Sequence, residues 1–209
     1  MATLLHIQAS PRKDHSYSSR AAEAFLESYR QSHPGDTVRT VDVFDGSLAE
    51  FGALQVAAKY RILHGEKATE EERRAWRQVE DTIAAFKAAD KYVVSSAMWN
   101  FGVPYALKKY IDILVQPTYT FTYSPAEGYK GLVTGKPALL ILARGGQYPP
   151  GTQEAAYDHQ RPYLELMLGF IGFTNISTIV IEPTLQGRDA AARKLAAAIT
   201  LAREKARTF

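Results

Sequence analysis

A chain of 209 residues with 46% hydrophobic and 22% charged residues has the composition of an ordinary globular protein, long enough for a full core and short enough for one domain. It contains no cysteine, which excludes disulfides, thiolate metal sites, cysteine nucleophiles and dithiol redox chemistry, so any redox activity must come from a bound cofactor. The net charge of +3 is dispersed, with much of the excess in the last predicted helix (Arg193, Lys194, Arg203, Lys205, Arg207), which reads as a solvated face rather than a nucleic-acid surface. The amino terminus lacks a basic start with an apolar signal core, and no apolar run approaches the ~18 residues of a membrane span. A cytoplasmic protein without membrane partners is therefore expected.

Strand-like and helix-like segments alternate along the chain. Thr3–Gln8 reads as a strand, followed by a helix from about Ser18 to Ser32 that stops before His33-Pro34-Gly35. A second strand is predicted at Thr37–Val43, then an irregular stretch with a short helix near Ala53–Ile62. Thr69-Glu-Glu-Glu72 is a capping box opening a helix to about Ala89. The buried-type run Lys91–Ala97 is a third strand, and Pro104 opens a helix to about Val115. Thr118–Tyr123 and Gly131–Val133 form a hairpin-like insertion, Pro137–Ala143 a fourth strand, Pro162–Phe170 a helix, Asn175–Glu182 a fifth strand and Arg188–Arg207 a closing helix. Five strands separated by helices imply a doubly wound, parallel α/β sheet with helices on both faces.

In such sheets ligands bind at the carboxyl ends of the strands, and three unusual loops fall on that edge. The first holds Ser10, Ser16, Tyr17, Ser18 and Ser19, with Arg12, Lys13 and Arg20 nearby. Hydroxyls, free amide N–H groups and a helix dipole converging there suit a phosphate, although a Ser-rich surface turn with an N-cap is the plainer reading. The second, Met98-Trp99-Asn100-Phe101-Gly102, offers flat or polarizable groups and one amide, which suit a planar aromatic ligand; the alternative is core packing. In the third, Ala143-Arg144-Gly145-Gly146, paired glycines permit close backbone approach and Arg144 supplies positive charge, unless this is an ordinary turn. Tyr119, Phe121 and Tyr123 alternate along one strand face, either as core or as an exposed aromatic patch suited to a dimer contact.

Familiar motifs are missing. No Gly-x-Gly-x-x-Gly follows the first strand, and Gly131-Leu-Val-Thr-Gly-Lys136 is one residue short of a P-loop, with proline where a hydroxyl belongs. Gly-x-Ser-x-Gly is absent, and the five histidines show no ligand spacing, so no metal is expected.

Taken in order, Ser10 with Ser16-Tyr-Ser18, Met98-Trp-Asn-Phe101, Gly102-Val-Pro104 with Leu107-Lys108, Gly131–Lys136, Arg144-Gly-Gly146, Pro162-Tyr-Leu164 and Leu168–Gly172 resemble the FMN-dependent NADH azoreductases, the flavodoxin-like NADH:quinone oxidoreductases of bacteria. The resemblance implies that residues 1–209 form one flavodoxin-like domain holding FMN noncovalently, and that the protein is a homodimer with sites at its interface. It assigns Ser10 and Ser16–Ser18 to the phosphate, Met98, Trp99, Asn100 and Phe101 to the isoalloxazine, and Ala143, Arg144, Gly145 and Gly146 to its pyrimidine side. It implies NADH or NADPH as donor and ping-pong reduction of quinones and aromatic azo compounds, with no protein acid or base. Ala143 lacks a hydroxyl that some relatives place there, and Gln147-Tyr-Pro-Pro-Gly151 is unusually rich in proline. An electron carrier, a general NAD(P)H:FMN reductase and a flavin-free interaction module are the other readings. A basic chain with an aromatic insertion sits poorly with the carrier.

Overall fold

The computed structural model describes residues 1–209. Its main sheet holds β1 (Thr3–Ala9), β2 (Thr37–Asp42), β3 (Lys91–Ala97), β6 (Pro137–Ala143) and β7 (Asn175–Ile181), all parallel, in the order β2-β1-β3-β6-β7. The central strands are buried along almost their whole length because helices cover both of their faces. Alternation along each strand divides the core in two. Leu4, Val93, Leu139 and Ile141 face α1 (Tyr17–Ser32) and α6 (Arg188–Thr208), whereas Leu5, Val94, Leu140 and Leu142 face the opposite layer.

That opposite layer contains α3 (Glu70–Lys87), α4 (Tyr105–Leu114) and α5 (Arg161–Ile171), with α2 (Ala53–Leu63) against α3. Trp76, Val79, Ile83 and Phe86 recur on one face of α3 at helical spacing, and all are buried. The helix starts where Thr69 Oγ1 accepts the Glu72 amide at 3.2 Å and Glu72 Oε2 accepts the Thr69 amide at 2.7 Å. On the other face, α6 presents Ala191, Ala198, Ala202 and Ala206 to the interior, small enough for α1 to lie close.

The chain winds one way from β1 to β2 and the other way from β1 to β3, β6 and β7. The strand order therefore switches between β1 and β3, and a crevice opens beyond their carboxyl ends.

The insertion is a hairpin, β4 (Phe121–Ser124) against β5 (Gly128–Gly131). Its second strand lies three residues before the predicted Gly131–Val133. Gly131 explains the shift: a Cβ there would stand 2.3 Å from backbone atoms of Ile171 and Gly172, so β5 ends by docking directly on the end of α5.

The expected aromatic alternation also fails at its first member. Thr118 takes a positive φ of 70°, and the amides of Tyr119 and Thr120 both turn back to the Gln116 carbonyl, so Tyr119 lies outside the strand. Its hydroxyl donates to Glu80 at 2.5 Å and accepts from Trp76 Nε1 at 3.1 Å. Phe121 is half-buried between Phe170 and Tyr129, which leaves Tyr123 and Tyr129, 62% and 66% exposed, as the open aromatic pair.

Candidate active site

A cleft of about 210 Å³ lies at the switch point, lined at one end by Ser10, Pro11, Arg12, Ser16 and Tyr17. The Ser-rich turn forms this end because the chain tightens into a short 3-10 turn at Lys13–His15 before α1 begins. Ser16 caps α1, and the amides of Tyr17 and Ser18 in the first helical turn have no intrahelical acceptor. Ser10 and Ser16 are 2% and 4% exposed, so an anion meeting them would be largely desolvated. Ser18 is fully buried and lies outside the lining; its Oγ is 3.0 Å from Ser16 Oγ, which it orients from behind. Of the nearby cations only Arg12 borders the cleft. Lys13 pairs with Asp42 at 3.7 Å, and Arg20 faces a separate groove between α1 and α6.

The other end of the cleft is flat and apolar, formed by Ala97, Met98, Trp99 and Ala143. Met98 is locked in place by its amide, which donates to the Ala143 carbonyl at 2.8 Å. After it the chain makes a two-residue hairpin: Trp99 and Gly102 exchange both backbone hydrogen bonds, at 3.1 and 2.9 Å. Its central residues, Asn100 and Phe101, have φ of 47° and 68°, the signature of a type I′ turn. Asparagine tolerates that geometry, but phenylalanine does so rarely, and such strain collects at functional sites. The turn holds Asn100 and Phe101 at the exposed rim rather than on the cleft wall. Phe101 meets Tyr157 at 5.3 Å and Tyr148 edge-on at 6.5 Å, while Trp99 meets Phe44 at 5.7 Å and Tyr105 at 6.0 Å.

Gly145 lines the cleft, and a Cβ on it would come within 2.7 Å of Leu185 Cδ1, so a larger residue there would push the exposed Leu185 side chain aside. Gly146 lies beyond the lining, under the Tyr148 ring. Arg144 is corrected by the structure: it offers no charge to the cleft. Its side chain is 3% exposed, with Nη2 2.8 Å from Asp158 and Nη1 3.4 Å from Glu182, and Nε donates to Gln160 Oε1 at 3.2 Å. Two buried-side acidic partners outcompete an open cleft for a guanidinium. The sequence reading also missed Thr184 and Leu185, which complete the lining. Their position just after the fifth strand, on the same carboxyl edge, was the available signal.

Residues 2–206 match the family model described as a flavodoxin-like fold. Across the full length of both chains, this sequence is 47% identical to an FMN-dependent NADH:quinone oxidoreductase of Nitratidesulfovibrio vulgaris. The chain belongs to that family. Its structure superposes on an azoreductase from Bacillus anthracis str. Sterne with a TM-score of 0.91 at 34% identity, covering all of both chains. It also superposes on an FMN-dependent NADH-azoreductase from Bacillus anthracis str. Ames Ancestor in complex with FMN, with a TM-score of 0.90 at 26% identity, covering 99% and 98% of the two chains. The family's parallel sheet, with helices on both faces, is the one described above. No helix is long and apolar enough to cross a membrane.

Proposed function

We propose that this chain is an FMN-dependent oxidoreductase that takes reducing equivalents from NADH or NADPH and delivers them in pairs to quinones and to the azo bond of aromatic azo compounds. The observation that carries this reading is the cleft at the switch point, whose two ends differ as the two ends of FMN differ. Ser10, Ser16, Arg12 and the free amides of the first turn of α1 suit the phosphate. Met98, Trp99 and Ala143 suit one face of the ring, and the Gly145 backbone can approach the ring's polar edge. Relatives named for FMN and NADH support the choice of cofactor and donor.

When bound, FMN supplies the two-electron chemistry that no side chain here can perform. The chain's own task is to bind, orient and desolvate. The amide of Gly145, and Asn100 at the rim, are the donors placed to offset negative charge gathering at the ring's pyrimidine edge. The open side of the cleft, bordered by Trp99 and Phe101, receives donor and acceptor in turn, so no separate acceptor site is required.

That open side also motivates a homodimer. Tyr123 and Tyr129 form an exposed aromatic pair on the hairpin, the kind of surface a twofold contact would cover. A donor drawn from the pool of reduced nicotinamide fits a cytoplasmic enzyme.

The test is direct. Purified protein should be yellow, anaerobic NADH should bleach it, and varying NADH against benzoquinone should give parallel double-reciprocal lines. Intersecting lines would exclude a shared site. Bleaching without rapid quinone turnover would mark an electron carrier, and colourless protein that takes up no FMN would leave an interaction module.

A further inference from the structure

Arg144 is the one strongly buried cation beside the cleft, and the binding of a ligand gives it no role. Burying a guanidinium is costly, and a carboxylate pair seldom returns that cost as stability. What the geometry offers instead is registry. The planar fork spans three partners that come from two different loops: Asp158 and Gln160 before α5, and Glu182 after β7. Asp158 then accepts the amides of Gln160 and Arg161 through Oδ1, both at 3.1 Å, which fixes the segment carrying His159. The His159 amide donates to the Phe101 carbonyl at 2.9 Å and so reaches the strained hairpin. On the other side, the Arg144 carbonyl accepts from the Thr184 amide and from Thr184 Oγ1, both at 2.9 Å, and the Gly145 carbonyl accepts the Leu185 amide at 3.2 Å. The guanidinium thus joins the segment that reaches the strained hairpin to the segment after β7, while the backbone carbonyls of Arg144 and Gly145 hold Thr184 and Leu185.

We propose that Arg144 is the positioning residue of this cleft: without touching the cofactor, it sets through Asp158, Gln160 and Glu182 where the Gly145 backbone and the Trp99–Gly102 hairpin meet the flavin's edge. The proposal rests on the assignment of FMN to this cleft. Only arginine carries a planar fork able to hold three partners at once, so lysine should keep the charge and lose part of the registry.

The experiment compares Arg144→Met, Arg144→Lys and, as a marker of the phosphate end, Ser16→Ala. Each variant is titrated with FMN, and the midpoint potential of its bound flavin is measured at saturating FMN. Arg144→Met should weaken FMN binding at least tenfold and shift the potential, with Arg144→Lys between it and the parent chain on both measures. Ser16→Ala should weaken binding while leaving the potential in place. A general loss of rigidity lowers the melting temperature and the FMN affinity but does not move the potential of flavin that remains bound. An unchanged potential in Arg144→Met therefore overturns the positioning role, and where that variant does not fold, an unchanged potential in Arg144→Lys does the same. If Ser16→Ala keeps parent affinity, the assignment of FMN to the cleft falls, and this proposal falls with it. If Ser16→Ala weakens binding and the Arg144 variants keep the parent potential, the proposal alone fails.

Discussion

The carbonyl of Phe101 accepts the His159 amide at 2.9 Å, so a phenylalanine at a φ of 68° is held from outside its own turn. The left-handed conformation costs a residue with a Cβ about 1–2 kcal/mol, and glycine escapes that cost. Phe101→Gly should therefore be more stable than Phe101→Ala by about 1 kcal/mol, measured by urea unfolding. Both should lose turnover with quinone, because both remove the ring at the rim of the cleft. Equal stabilities would mean that the turn is unstrained.

The phosphate end separates two serines that look alike in sequence. Ser16 lines the cleft, and Ser18 stands behind it at 3.0 Å. A hydrogen bond to a charged partner is worth about 1.5–3 kcal/mol, so Ser16→Ala should weaken FMN binding by about 10- to 100-fold. Ser18→Ala removes only the orienting hydroxyl and should weaken it less. Fluorescence titration of the apoprotein decides the order, and a larger effect at Ser18 would reverse these roles.

How much of this was legible beforehand differs by element, for physical reasons. The strand β6 is an apolar run buried on both faces, β1 and β3 are mostly apolar with a few small or polar members, and the box at Thr69–Glu72 writes a helix start into four residues, so local sequence identifies them. Arg144 shows the limit. Its place at a strand end is readable, but its direction depends on Glu182, 38 residues away, and on how two loops fold together. Tyr119 fails for a similar reason: the turn at Gln116–Thr120 has no glycine to announce the positive φ at Thr118, so a period of two continues on paper where the backbone bends.

Gly131 is a site where one methyl group has no room. A Cβ would meet backbone atoms of Gly172 and Ile171 at 2.3 Å, and backbone cannot swing aside as a side chain can. Overpacking costs about 1–3 kcal/mol, so Gly131→Ala should lower stability by at least that much. The change should loosen the hairpin before the sheet. Hydrogen exchange should rise at Val133, whose amide bonds the Ile171 carbonyl at 2.8 Å, while β3 and β6 stay protected. Parent-like stability would mean that the docking is not close.

His6 gives the fold a dependence on pH. It is buried on the α1 side of β1, with Nε2 2.9 Å from Ser95 Oγ, and burial, reinforced by the positive charge of Arg30, lowers its pKa from 6.5 to about 4. The unfolded chain takes up a proton below pH 6.5 and the folded chain does not until about pH 4, so stability falls as pH drops through that window. The difference corresponds to about 3 kcal/mol. Urea unfolding at pH 7.5 and 4.5 should show a loss of that order, and His6→Gln, which cannot titrate, should flatten it. A slope unchanged in His6→Gln would assign the effect to other groups.

The exposed pair at the hairpin tests assembly. Phe121 is wedged between Phe170 and Tyr129, so a charge there would damage the hairpin itself. Tyr123 is 62% exposed and pairs across the strands with Tyr129, so Tyr123→Asp leaves the fold intact and changes only what the surface offers a partner. An aspartate buried in a dimer contact without a counter-ion costs several kcal/mol, roughly 2–4, enough to shift a micromolar dimer to monomer. The expected outcome is a halved mass by light scattering, parent affinity for FMN, and reduced turnover with quinone, because the open side of the cleft then faces water. A parent chain that is already monomeric, or a Tyr123→Asp variant that remains dimeric and fully active, removes the hairpin from the interface.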